Sequence, residues 1–145
     1  MLTQSIKVPE TDVLIATIIR GVPNDNSKDK TEFLTETSYS IQVGVLHRSA
    51  GTFIKAHNHL PTRKIVSGCQ EVLIVKSGTI EVVIYDHEQN YLATEVLRTG
   101  DILIQYHGGH SFSFLVDTQF IEIKQGPYTP ADKVFFDPRC HESMK

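Results

Sequence analysis

The chain has 145 residues, no tryptophan and a formal charge of −3. That length suits one domain with a substantial core, and the charge supplies no basic field for nucleic acid. No apolar run approaches bilayer length and Met1 to Lys7 lacks a signal-peptide core, so a cytoplasmic protein without a membrane partner is expected, with Cys69 and Cys140 as free thiols.

In chain order, the first expected strand is Val13–Ile19. A polar, turn-rich loop follows from Val22 to Lys30, with a helical turn expected within Asp29–Leu34. From about Ser40 the chain reads as short strands separated by turns. They are Ile41–His47, Thr52–His59, Glu71–Lys76, Thr79–Tyr85, Leu92–Leu97, Asp101–Tyr106, Ser111–Leu115 and Phe120–Lys124. Ser77-Gly78 separates two apolar runs by two residues, a hairpin signal in which glycine supplies the positive φ. Asp86 to Asn90 forms a longer polar hairpin loop, and Thr99-Gly100-Asp101 another tight turn. Many short strands at this spacing imply an all-β sandwich or closed barrel. The expected organisation is one domain over 1–145: a core at about 41–125, an N-terminal strand and loop at 1–40, and a tail at 126–145. Prolines in the tail prevent a ladder there, so it should wrap the barrel or a partner subunit, with a short helical piece after Pro130.

The segment from Gly51 to His59 carries the chemistry first. Side chains of a strand alternate faces, so His57 and His59 point the same way while Asn58 points the other. Two imidazoles so placed can converge on one metal ion. Glu71 shares its face with Leu73 and Val75, so its carboxylate projects from an apolar wall and needs a partner such as a cation.

Taken together, Gly51, His57, His59, Glu71 and Gly78 resemble the first motif of the cupin superfamily, G(x5)HxH followed by a glutamate, six residues and a glycine. Gly100, Tyr106, Gly108 and His110 resemble its second motif, G(x5)PxG(x2)H. The resemblance covers Ile41 to Lys124. It implies a double-stranded β-helix, or jelly-roll barrel, with a metal held by His57, His59, Glu71 and His110. Three departures stand out. Eleven residues lie between His59 and Glu71, an insertion relative to the family, with Leu60–Gly68 as an excursion over the barrel mouth. Tyr106 replaces the proline, and His110 comes one residue early, which the Gly108-Gly109 pair can accommodate. His107 is the alternative to His110. Imidazole and carboxylate ligands suit Zn, Fe, Mn, Ni or Cu alike and leave coordination positions open.

Around such a site, Cys69 has the strand parity of Glu71, and Arg63 and Lys64 lie on the inserted loop, where they could clamp an anionic group. Gln105, Tyr106 and Lys124 are further candidates for substrate contact. The leading expectation is a metal-binding cupin that binds or transforms a polar small molecule, sugar-derived or a carboxylate, by isomerase, lyase or dioxygenase chemistry if it is an enzyme. The alternatives are a metal-free sugar-nucleotide isomerase or epimerase using His57 or His110 as acid/base, and a non-catalytic binding or sensor module. A homodimer is expected because exposed strand edges need cover.

Overall fold

The computed structural model describes residues 2–22, 29–127, 129, 131 and 133–137; Cys140 and His141 lie outside them, and of the segment after Pro130, where a short helical piece is expected, the described stretch 133–137 has no helix. The chain divides into two compact units, one built from residues 1–22 and 68–145 and the other from 23–67. Every regular element among the described residues is a strand, and every ladder is antiparallel. The all-β class is therefore observed. No helix among the described residues is long and apolar enough to cross a membrane.

The larger unit holds eight strands: β1 (Leu2–Lys7), β2 (Leu14–Arg20), β5 (Glu71–Ser77), β6 (Thr79–Tyr85), β7 (Tyr91–Arg98), β8 (Ile102–Gln105), β9 (Gly109–Phe114) and β10 (Gln119–Lys124). They form a five-stranded sheet in the order β1-β2-β8-β5-β10 and a three-stranded sheet in the order β7-β6-β9. The smaller unit contains the two short strands β3 (Thr31–Phe33) and β4 (Gly44–Leu46).

Alternation explains where the core of the larger unit sits. In β6, Ile80, Val82 and Ile84 are fully buried while Glu81 and Val83 between them are only partly so. Leu73 and Val75 on β5, Leu103 on β8, and Ala16 and Ile18 on β2 meet them in one apolar cluster, with Phe112 and Phe120 packed at its margin. The β5–β6 hairpin closes at Gly78, whose φ of 96° is the left-handed conformation expected there. Asp86 caps the β6–β7 turn by accepting from the backbone N–H groups of Glu88 and Asn90 and from the Asn90 side chain, each at 2.9 Å.

Four sequence expectations are corrected. Thr52–His59 is not a strand: residues 50–69 make no ladder and are exposed throughout. Phe53 and Ile54 put apolar groups on both faces of that segment, so neither face gains from being laid on a core. Ile41–His47 contracts to the three residues of β4, and Asp29–Leu34 contains strand β3 rather than a helical turn. Finally, Leu2–Lys7 is a strand that the sequence reading passed over, because polar Thr3, Gln4, Ser5 and Lys7 dominate it; it serves as an edge of the larger sheet.

Candidate functional site

Register brings three polar residues side by side on the five-stranded sheet. Glu71 opens β5, its cross-strand partner on β8 is Gln105, and its partner on β10 is Lys124. His110, the second residue of β9, reaches Glu71 from the three-stranded sheet: its Nε2 lies 3.5 Å from Glu71 Oε2. Lys124 Nζ stands 3.5 Å from Glu71 Oε1 and donates to Glu122 Oε1 at 2.8 Å. Gln105, itself buried, has its Oε1 2.8 Å from His110 Nδ1 and donates from Nε2 to the His107 carbonyl at 3.0 Å.

These groups border a cavity of about 600 Å³ within the larger unit, lined by Glu71, Gln105, His110, Phe112, Phe120 and Glu122 among others. That volume is in the range of small-molecule sites. The His110 and Phe112 rings are 4.6 Å apart, and Phe112 lies 6.1 Å from Phe120, so one wall is aromatic. Glu71 Oε2 is buried and has no hydrogen-bond partner. A buried carboxylate oxygen in that condition carries a desolvation cost that a proton donor or a cation would relieve.

Charge and burial set the protonation of the cluster. Burial pushes His110 below the ordinary histidine value, against the opposing pull of Glu71 and Glu122. The Lys124 ammonium, hydrogen-bonded to Glu122, holds that carboxyl below its ordinary value despite desolvation. Glu122 in turn raises Lys124, with Glu71 adding to the effect.

The four expected metal ligands fall in two pairs. Glu71 and His110 meet in the larger unit as described. His57 and His59 lie on the exposed segment of the smaller unit, their rings 5.3 Å apart at 65°, and His57 Nδ1 is 3.0 Å from the Lys55 carbonyl. Adjacency of the i and i+2 rings thus survives without a strand. Of the two candidates, His110 in β9 is the one against Glu71, while the ring of His107, just before that strand, packs 5.2 Å from His87. Among the described residues, no group of three or more His, Cys, Asp or Glu side chains is arranged to hold a metal ion.

Of the expected substrate contacts, Cys69 and Gln105 line the cavity, Lys124 touches two of its carboxylates, and Tyr106 is buried but does not line it. Arg63 and Lys64 are exposed on the smaller unit. Glu122 is a cavity residue that the sequence reading missed. In β10 the usual expectation places isoleucines inward, yet Ile121 and Ile123 are 44% and 54% exposed while Phe120 and Glu122 line the cavity. The parity of Glu122 with Lys124 and Phe120 was the available signal. In comparisons with protein-family models, curated proteins and solved structures, the chain matches none of them.

Proposed function

We propose that this chain is a cupin-type protein whose larger unit binds a polar small molecule, sugar-derived or a carboxylate, beside a divalent transition-metal ion held by Glu71 and His110. The observation that carries this reading is the buried, unpartnered Glu71 Oε2 facing His110 Nε2 across 3.5 Å. Two ligand atoms each about 2.1 Å from a tetrahedral ion stand about 3.4 Å apart, so the pair fits as two ligands of one ion. Such an ion supplies Lewis acidity toward a ligand oxygen. The chain's own groups do the rest. Gln105 steadies the imidazole, Lys124 offsets the paired carboxylates, and Phe112 and Phe120 give the ligand an apolar wall that keeps water from one side.

The test is elemental analysis of untagged protein and of two variants. Glu71→Ala and His110→Ala are each expected to weaken metal binding by at least about tenfold while circular dichroism stays that of a β protein. Full metal retention in both variants overturns the reading. His57→Ala and His59→Ala, measured alongside, report whether the histidine pair of the smaller unit binds metal as well.

A second reading is favoured by the burial-lowered His110 beside a carboxylate: metal-free acid/base chemistry on a keto-sugar nucleotide. Turnover that persists in chelator and disappears in His110→Ala supports it over the first.

A further inference from the structure

The Gln105 carboxamide sits between two groups, and one of them has a fixed character. Its Nε2 is 3.0 Å from the backbone carbonyl of His107, and its Oε1 is 2.8 Å from His110 Nδ1. A backbone carbonyl only accepts, so the amide must turn its NH2 toward His107 and its oxygen toward the imidazole. An amide oxygen also only accepts, so the ring proton must reside on His110 Nδ1. In the neutral ring the remaining nitrogen, Nε2, is then a lone pair aimed at Glu71 Oε2, an oxygen with no hydrogen-bond partner of its own. Two acceptors face each other across 3.5 Å.

We infer that Gln105 is the positioning residue of this site: it locks neutral His110 in the Nδ1–H tautomer, so the gap between His110 and Glu71 accepts only a cation or a hydrogen-bond donor. The inference deepens the proposed function by naming what the gap takes, and its geometry does not depend on whether that occupant is a metal. An unconstrained neutral imidazole prefers the opposite tautomer, with the proton on Nε2, which here would donate to Glu71 and fill the gap. Gln105 prevents this. Because the chain of bonds starts from a main-chain carbonyl, the side chain at position 107 has no part in it.

Nitrogen-15 NMR of the imidazoles tests the assignment on chelator-treated full-length protein, at a pH where histidines are neutral. The His110 signals are identified by their loss in His110→Gln. In the unsubstituted protein Nδ1 is expected to be pyrrole-type and Nε2 pyridine-type. Gln105→Met should reverse them, whereas Gln105→Glu, which retains an acceptor for Nδ1–H, should keep the original pattern. A pyrrole-type Nε2 in the unsubstituted protein overturns the inference, and that spectrum requires no variant to fold. An unchanged tautomer in folded Gln105→Met overturns it equally. Zinc added to the same sample should move the Nε2 resonance; if it does not, the metal reading fails while the tautomer assignment stands on its own spectrum.

Discussion

His110 and His107 are both held toward their neutral forms by burial, with His87 adding to the effect at His107, so acid works against this fold. Each folded-state value is depressed. The stability they contribute is therefore present above the unfolded value of about 6.5 and lost as pH falls through and below it. The urea midpoint is expected to drop between neutral and mildly acid pH, and His107→Gln should flatten part of that slope. Asp86 acts in a lower window. Desolvation alone would raise its carboxyl, but the hydrogen bonds from Asn90 and Glu88 outweigh it and hold it below the ordinary carboxylate range. Its contribution is thus present above about pH 4 and lost on further acidification. Asp86→Ala should cost about 1–2 kcal/mol in urea unfolding at neutral pH, since three N–H groups of the β6–β7 turn lose their acceptor. The resemblance names Glu71 and His110 together as ligands, although His110 stands one residue short of the motif's offset; what the structure adds is their contact at 3.5 Å. The Gln105 bridge was legible only as a candidate contact. Its bond to His110 depends on two sheets meeting, which no local pattern reports.

At the level of elements, two glycines sit where the fold leaves no room for a side chain. A Cβ on Gly78 would come within 2.5 Å of the Asp117 carbonyl and 2.7 Å of the Thr118 Cα, at a φ of 96°. Strain of at least about 1–2 kcal/mol is expected from Gly78→Ala on the backbone conformation alone. The contact with Thr118 extends the damage to the turn before β10, and thermal unfolding would register it. Gly108, at a φ of 73°, passes so close to the Tyr85 carbonyl that a Cβ has no room. Gly108→Ala should displace the start of β9 and with it His110, visible as a changed His110 imidazole signal in an otherwise folded spectrum. The hairpins β5–β6 and β6–β7 could be read from the sequence because alternation and turn residues agree there. The stretch 52–59 could not, because its apolar residues Phe53 and Ile54 fall on both parities and a strand exists only where a neighbouring ladder receives it. Strand β10 was located but its facing was not: Glu122 and Lys124 turn toward the cavity because Glu71 and each other give them partners.

For the molecule as a whole, the five-stranded sheet ends, among the described residues, in β1 on one side and β10 on the other, and a sheet edge of this kind offers backbone groups for pairing. Ile121 and Ile123 add exposed apolar surface at the β10 edge. A homodimer is the expected state, and light scattering at high concentration should return twice the 16.3 kDa chain mass; a monomer mass contradicts it. Strand β8 is the seam of that sheet, pairing β2 on one flank and β5 on the other, although both precede it along the chain. A polypeptide leaving the ribosome must therefore expose the β1–β2 hairpin and β5 as unjoined half-sheets until Ile102–Gln105 has been made. Vectorial synthesis leaves this protein to complete its architecture late, and a truncated product ending before Ile102 would present bare apolar faces to quality control.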